Sequence, residues 1–256
     1  METSTENFYD EMADDYHLIY SDWKKAVLRQ GEVLSEFILS KFGNKNPEQL
    51  SLLDCSCGIG TQAIGLAKKG FKVTATDLSL KSVSRAKREA ALFQVNIDFG
   101  RADFRSLAKS IAGKFDVVLS ADNAIPHLLT DEDLLSASQN LKDKLQGNGL
   151  LVLTIRDYDS IVKSKPVSTQ PRIFEDGRVI TFQVWDWSEK RNIYAINHFI
   201  MKEVDGQWLT KHTKTTYRAL LRQELCDILN KIGLFDVKWH MPEETGFYQP
   251  IVTARK

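Results

Sequence analysis

The sequence of 256 residues has no net charge, few cysteines and no long hydrophobic run. Its 34 lysines and arginines balance 34 aspartates and glutamates, so we expect no general positive field of the kind that drives nucleic-acid binding. No segment approaches the roughly 20 consecutive apolar residues of a membrane-spanning helix. Residues 1–16 are acidic and polar, unlike a signal or transit peptide. We therefore expect a cytoplasmic protein without nucleic-acid or membrane partners.

The three cysteines also exclude two classes of site. Cys55, Cys57 and Cys226 are too few and too unevenly placed for a disulfide framework. The pair Cys55-x-Cys57 lacks the other ligands that zinc needs, so we predict no metal site. Hydrophobic residues make up 43% of the chain, which excludes disorder as the dominant state and suffices for a sizeable core.

From residue 50 onward, short apolar runs alternate with helical patterns. We expect strands at 52–55, 71–76, 95–99, 115–119 and 150–155, with helices at 62–69, 80–93, 104–112 and 131–145 between them. A further helix at 220–231 and strands at 235–240 and 251–254 follow later in the chain. Apolar strands separated by helices are typical of a parallel sheet covered on both faces. The prediction is an α/β fold with a Rossmann-like, seven-stranded sheet.

Two regions depart from this alternation. Apolar residues at helical spacing in the first forty positions predict an N-terminal helical lid, residues 1–46. Between 166 and 217, the turns Asp176-Gly177 and Asp205-Gly206 separate runs of β-branched and aromatic residues, which predicts an antiparallel insertion of about four strands after the fifth strand. Residues 47–165 and 218–256 then form the α/β core, and the insertion is expected to cap the substrate.

A glycine-rich turn follows the first strand of the core. Gly58 and Gly60 allow the backbone to turn tightly and to approach a ligand closely. Asp77 ends the next strand, 77 − 54 = 23 residues after Asp54, where a carboxylate can accept hydrogen bonds from a ribose. Ser79 is the better N-cap for the following helix, which leaves Asp77 available.

Two cofactor classes fit this turn. The pattern Gly58-x-Gly60-x-x-Ala63 matches the loose fingerprint of dinucleotide-binding proteins. Asp54 favours S-adenosylmethionine (SAM) instead, because a carboxylate four residues before Gly58 repels a pyrophosphate at a helix N-terminus and attracts an ammonium and a sulfonium. Asp103, after the third strand, can meet an adenine amino group. An NAD-dependent oxidoreductase remains the alternative.

The same residues carry a resemblance to a known family. The run LLDCSCGIGTQAIGLAKKGFKVTATDLS resembles motifs I and II of the class I SAM-dependent methyltransferases. Ala102-Asp103-Phe104 resembles their adenine motif, and FDVVLSADNAIPHL resembles their fourth motif. One departure is Ser56, which replaces the first glycine of D-x-G-x-G-x-G and is tolerated where φ is not positive. The resemblance implies SAM as the cofactor and these cofactor-binding residues: Asp54, Ser56, Gly58, Gly60, Thr61, Asp77, Leu78, Ala102, Asp103, Phe104 and Asp122.

A narrower resemblance points to an acceptor. The segment Tyr16–Asp22 resembles the N-terminal segment that lines the active site of glycine N-methyltransferase and its bacterial glycine/sarcosine relatives. Asn123 and His127 match the substrate loop of those enzymes. Arg156-Asp157-Tyr158-Asp159 resembles their R-N-Y-D, whose arginine holds the substrate carboxylate. The resemblance therefore implies a small carboxylated amine as the methyl acceptor.

Aromatic residues add three further site predictions. Aromatic faces stabilise cations such as a sulfonium, so Tyr16 and Tyr20 are predicted to line the cofactor site. Tyr217, at the end of the insertion, is predicted to close the pocket from the other side. Each has an ordinary alternative as a packing residue. His127 has the alternative of a structural histidine, and Arg156 that of a surface arginine paired with neighbouring aspartates.

The predicted function is transfer of a methyl group from SAM to a small molecule, by positioning the reactants rather than by a strong acid–base pair. Asn123 and Arg156 are expected to hold the acceptor, with His127 and Tyr217 beside them. O- or C-methylation of another metabolite and a catalytically silent SAM-binding protein stay open. A homo-oligomer is compatible with the sequence but is not indicated by it.

Overall fold

The computed structural model describes residues 4–189 and 192–256. Its largest element is a seven-stranded sheet with the strand order β10-β11-β5-β4-β1-β2-β3. Strands β1 to β5 run parallel, and β11 is antiparallel to both β5 and β10. The strands are β1 (Ser51–Asp54), β2 (Lys72–Asp77), β3 (Asp98–Arg101), β4 (Phe115–Ser120), β5 (Leu145–Thr154), β10 (Phe235–His240) and β11 (Ile251–Arg255). The predicted α/β class and seven-stranded sheet are confirmed.

Helices cover both faces of this sheet. Leu52 packs in a cluster with residues of α2 and α3, whereas its neighbour Leu53 packs with residues of α5 and α7, because successive residues of a strand point to opposite faces. The helices are α1 (Thr5–Met12), α2 (Trp23–Leu39), α3 (Thr61–Lys68), α4 (Leu80–Leu92), α5 (Asp131–Lys144), α6 (Tyr158–Ser164), α7 (Arg222–Lys231) and α8 (Pro242–Thr245). None of the helices in the described residues is long and apolar enough to cross a membrane.

A second sheet forms the predicted insertion. It contains β6 (Arg172–Phe174), β7 (Val179–Trp187), β8 (Ile193–Val204) and β9 (Gln207–Arg218), all antiparallel and paired in chain order. Asp205 and Gly206 make the tight turn between β8 and β9, both with positive φ, which the Asp-Gly pair tolerates. The buried face of this sheet packs partly on the α/β core and partly on the N-terminal segment.

The N-terminal segment bridges the two sheets. The Asp15 carboxylate accepts Lys202 and Lys211 of the insertion at 2.6 and 2.8 Å. On the side of the core, the Ser79 hydroxyl donates to the Asp10 carboxylate at 2.5 Å. These contacts hold α1 over the carboxyl ends of the parallel strands.

Two predicted elements around β3 were wrong. The expected helix at 104–112 is only a single 3-10 turn, Leu107–Lys109, because the Asp103 carboxylate accepts the backbone N–H of Arg105 and favours a turn there. The expected strand at 95–99 begins three residues later, at Asp98. Val95 and Ile97 instead pack against a hydrophobic cluster that includes Trp23 and Val27 of α2.

Candidate functional site

A cavity opens at the carboxyl ends of the parallel strands. This edge is where open α/β sheets bind ligands. Its wall comes from α1, the glycine turn and the loops after β2, β3 and β4. The polar and aromatic side chains in the wall belong to Tyr9, Tyr16, Ser56, Thr61, Gln62, Asp77, Asp103, Phe104, Arg105, Asp122 and His127.

The glycine turn between β1 and α3 brings backbone to the cavity. Gly58 and Gly60 have φ values of +52° and +95°, which favour glycine. A Cβ atom at Gly58 would meet no atom within 4 Å, so the turn leaves open space at its tip. Ser56 has no positive φ, and its hydroxyl bonds that of Ser120 at 2.8 Å. The serine therefore fits where related turns have glycine.

Two aspartates hold this turn in place. The buried Asp77 carboxylate accepts the backbone N–H groups of Gly58 at 2.8 Å and Ser79 at 2.9 Å. Burial raises the pKa of Asp77 to about 6, although both N–H groups oppose the rise. Ser79 caps α4, as predicted, by accepting the N–H of Ser82. Asp77 is therefore not the N-cap of α4, although its carboxylate accepts backbone N–H groups of its own.

Asp54 lies behind the wall of the cavity. It is fully buried, and its Oδ1 accepts the backbone N–H of Ser56 at 3.2 Å. Its Oδ2 has no hydrogen-bond partner among the described residues. Burial raises the pKa of Asp54 to about 7. An unpartnered buried carboxylate oxygen behind the turn favours a cationic ligand group or a water bound to one.

Asp103 lines the cavity and forms an ion pair with Arg105. Arg105 contacts both oxygens of the Asp103 carboxylate, the shortest distance being 2.6 Å. Burial raises the pKa of Asp103, but these contacts outweigh it and leave the pKa below its ordinary value. The carboxylate therefore stays ionised and can accept a further donor, such as an adenine amino group.

Asp122 follows β4 and accepts from donors in two parts of the chain. Tyr20 donates to its Oδ2 and Tyr248 donates to its Oδ1, each at 2.6 Å. Tyr16 and Gln249 make longer contacts of 3.4 and 3.5 Å with the same two oxygens. Burial, followed by the charge of Asp122, raises the pKa of all three tyrosines. They therefore remain protonated and act as donors.

Asn123 is buried with a fixed amide orientation. Its Oδ1 accepts the backbone N–H of Arg156 at 3.1 Å and the hydroxyl of Tyr158 at 3.0 Å. Since both are donors, this oxygen is assigned and the amide nitrogen points the other way. That nitrogen is buried and has no partner among the described residues. It is a donor ready for an acceptor on a ligand.

Arg156 lies among aromatic rings at the end of β5. Its guanidinium lies 4.9 Å from the ring centre of Trp185 and 5.5 Å from that of Tyr217, and one of its nitrogens donates to the Tyr194 hydroxyl at 3.0 Å. Cation–π contacts of this kind position a guanidinium without neutralising it.

The alternative of a surface ion pair for Arg156 is wrong. Asp157 and Asp159 pair with Arg222 instead, at 3.2 and 3.4 Å. Within residues 4–189 and 192–256, no salt bridge forms between Arg156 and an acidic side chain.

His127 is a neutral, satisfied histidine. Its Nδ1 donates to the backbone oxygen of Thr216 at 3.2 Å, which leaves Nε2 to accept the Tyr9 hydroxyl at 2.9 Å. Burial lowers the pKa of His127 to about 3. Its ring lies 4.0 Å from that of Tyr217. His127 therefore fits the alternative of a structural histidine that lines the cavity, and its geometry does not indicate a proton carrier.

The predicted site residues divide into two layers. Those in the cavity wall are Tyr16, Ser56, Gly58, Thr61, Asp77, Leu78, Ala102, Asp103, Phe104, Asp122 and His127. Those behind it or beside it are Tyr20, Asp54, Gly60, Asn123, Arg156 and Tyr217.

Sequence reasoning missed Tyr248 and Gln249. They lie two and three residues before β11, whose first residue, Ile251, pairs with Thr154 at the end of β5. An antiparallel last strand thus starts at the ligand edge, and that topology is the signal that could have found both residues.

Comparisons with known proteins agree with this geometry. Residues 52–149 match the family described as "Methyltransferase domain". The CcbJ methyltransferase of Streptomyces caelestis superimposes with a TM-score of 0.78 over 97% of both chains, at 17% identity. Residues 52–149 are thus similar to a methyltransferase domain. The predicted resemblance to SAM-dependent methyltransferases is confirmed, and SAM is the cofactor that these matches support.

Curated relatives extend the likeness beyond this domain. The chain is 28% identical to the glycine/sarcosine N-methyltransferase of Aphanothece halophytica over 240 residues, which cover 89% of the chain and 82% of that protein. It is 29% identical to the enzyme of the same name from Parasynechococcus marenigrum over 164 residues. That alignment spans 62% of the chain and only 55% of the relative.

The cavity fits SAM on the evidence of its own atoms. The open tip at Gly58, the carboxylates of Asp77 and Asp103, and the unpartnered Oδ2 of Asp54 offer space and acceptors to a molecule with hydroxyl, amino and cationic groups. Among the described residues, no cluster of three or more His, Cys, Asp or Glu side chains could hold a metal ion.

Proposed function

We propose that this protein transfers a methyl group from SAM to the amine of a small, carboxylate-bearing molecule. The single observation that carries the proposal is the pair of donors behind the cavity. The Arg156 guanidinium forms no salt bridge among the described residues. The amide nitrogen of Asn123, whose oxygen accepts the Arg156 backbone N–H, has no partner there either. Two such donors together favour a carboxylate, which accepts from both.

In this proposal the wall residues hold the cofactor. Asp77 receives the ribose hydroxyls, Asp103 and Phe104 the adenine, and Tyr16 and Tyr20 present hydroxyls and rings near the sulfonium. Gly58 and its neighbours contribute backbone groups. When bound, SAM supplies an electrophilic methyl group.

The chain's own part in the reaction is positioning. Arg156 and Asn123 fix the acceptor's carboxylate, which limits the directions its nitrogen can take. When it is complete, such orientation can lower the free-energy barrier of the reaction by about 7–11 kcal/mol. His127 stays neutral within the wall, and the ring of Tyr217 packs against it at a tilt of 34°, as the boundary toward the insertion.

The proposal also divides the chain into four parts. Residues 1–46 act as a lid, 47–165 and 218–256 as the cofactor-binding core, and 166–217 as the substrate cap. Support comes from Asp15, which ties the lid to the cap through Lys202 and Lys211. The names of relatives that act on glycine and sarcosine support the acceptor class.

The test is methylation of a matched panel by the purified protein. Glycine and sarcosine carry both an amine and a carboxylate, methylamine lacks the carboxylate, and a catechol offers only oxygen. We expect demethylated SAM to form with the carboxylated amines. In Arg156→Met, KM for them should rise about 10- to 100-fold because a charge-assisted contact is lost.

The matched control is Arg178→Met, the same change at an exposed turn of the insertion. It should keep the wild-type KM. An unchanged KM in Arg156→Met would contradict the carboxylate assignment. Methylation of the catechol alone would replace the proposal by O-methylation.

A further inference from the structure

Two side chains at the ligand edge carry opposite charges that nothing nearby neutralises. In the part of the chain that the structure describes, the Asp122 carboxylate contacts only neutral hydroxyl and amide donors. Arg156, as shown above, has no acidic partner there. By contrast, the cavity's Asp103 is paired with Arg105. Partly buried charges without counter-charges are costly, so each favours a ligand group of the opposite sign.

The backbone holds these two charges in a fixed relation. Asp122 and Asn123 have φ values of +56° and +68°, a conformation that non-glycine residues adopt at a cost and that clusters at functional sites. Their N–H groups donate to the hydroxyl and the carbonyl oxygen of Thr154 at 2.9 and 3.1 Å. Asn123 in turn accepts the N–H of Arg156. The ends of β4 and β5 thus carry an anion, a cation and an amide nitrogen without a partner among the described residues.

Asp122 retains capacity to accept from a ligand. Each of its oxygens has one short hydroxyl contact, from Tyr20 or Tyr248, and one long contact, from Tyr16 or Gln249. The long contacts of 3.4 and 3.5 Å are weak, and a cationic donor can replace them.

We propose that Asp122 binds the ammonium group of a zwitterionic amino acid whose carboxylate lies on Arg156 and Asn123. This proposal rests on the proposed function and narrows its substrate class from carboxylated amines to amino acids bound with both charges. It also reassigns Asp122 from a cofactor residue to an acceptor residue.

The arrangement also provides a base, the Asp122 carboxylate, for the proton that the ammonium must lose before its nitrogen can be methylated. The ammonium passes one proton to the Asp122 carboxylate and becomes a neutral amine. The nitrogen lone pair then forms the N–C bond as the methyl C–S bond breaks, and sulfur keeps that electron pair. The product is a methylated ammonium, and Asp122 releases its proton to water. The groups that face Asp122 are the hydroxyls of Tyr16, Tyr20 and Tyr248 and the amide of Gln249. The charge of Arg156 lies at the end of the neighbouring strand, β5.

The experiment compares three ligands that differ in charge at the methyl position. S-adenosylhomocysteine has a neutral sulfur, SAM has a sulfonium, and sinefungin carries an ammonium that points beyond the cofactor toward the acceptor. Calorimetry measures their Kd values for the wild type and for Asp122→Asn. The control is Asp205→Asn, the same change at an exposed residue with a similar φ of +51°.

We expect Asp122→Asn to raise the Kd of sinefungin about 10- to 100-fold, the effect of losing a hydrogen bond to a charged group. S-adenosylhomocysteine should keep its affinity, SAM should lose less than sinefungin, and Asp205→Asn should match the wild type. Equal losses for SAM and sinefungin would place Asp122 at the sulfonium and overturn the proposal, as would no loss at all.

Two further outcomes keep this proposal separate from the proposed function. Failure of the wild type to bind S-adenosylhomocysteine contradicts the proposed function itself. If Asp122→Asn fails to fold, Tyr248→Phe removes one neutral donor and keeps the charge. That variant must then retain the wild-type preference for sinefungin over S-adenosylhomocysteine, and loss of the preference would overturn the role of the charge.

Discussion

Replacing Gly65 by alanine should push helices α2 and α3 apart and lower the stability of the protein. A Cβ atom at Gly65 would lie 2.4 Å from the carbonyl oxygen of Val27 and 2.8 Å from the Cα of Gly31. Both are backbone atoms, so no side-chain rotation relieves the contact and a helix must shift. Overpacking costs about 1–3 kcal/mol, and alanine returns about 1 kcal/mol of helix propensity. Taking the upper end for so close a contact, the free energy of unfolding should fall by about 2 kcal/mol.

Thermal unfolding followed by circular dichroism measures this loss. For a chain of this size, about 2 kcal/mol corresponds to a decrease in Tm of about 4–8 °C. The matched control is Gly147→Ala in β5, where a Cβ atom would meet no atom within 4 Å and Tm should stay within about 2 °C. If Gly65→Ala has the same Tm as Gly147→Ala, the helices do not touch at these glycines and the reasoning fails.

Two further predictions concern buried polar groups. The unfolded chain protonates His127 near pH 6.5 but the folded chain only at about 3, so the unfolded state binds more protons between these values. The contribution of His127 to stability should therefore fall below about pH 6.5, by on the order of 2 kcal/mol at pH 5. In urea titrations at pH 7 and 5, the free energy of unfolding should decrease less for His127→Gln than for the wild type. For the exposed control His212→Gln it should change as it does in the wild type. Equal changes in all three proteins would contradict the assignment. Thr61→Val should lower stability by about 1–3 kcal/mol, because it leaves the buried Trp23 indole N–H without its acceptor at 2.8 Å; an unchanged urea midpoint would refute this.

The order of strands and helices could be read from sequence because long apolar runs dominate the core. Leu52 and Leu53 are both fully buried on opposite faces, so a run without alternation correctly predicts a covered parallel strand. Prediction failed where a local side chain decides the backbone. Nothing in the periodicity of 104–112 reveals that Asp103 will bond the N–H of Arg105 and replace a helix by a turn.

The cofactor turn could be predicted for a different reason: its residues lie close together in the sequence. Gly58 and Asp77 are joined by a strand–helix–strand unit, and they meet through one hydrogen bond. The proposed acceptor side of the site depends on long-range contacts. Tyr248 reaches Asp122 across 126 positions of the chain, and Tyr194 reaches Arg156 from the insertion. Such pairs follow from tertiary structure, and no local pattern indicates them.

Calorimetric titration of the wild-type protein with SAM, and separately with NADH, tests the central claim most directly. The cavity, its glycine turn and the carboxylates of Asp54 and Asp77 predict binding of SAM and no binding of NADH. Binding of NADH without SAM would contradict the account and assign the turn to a dinucleotide.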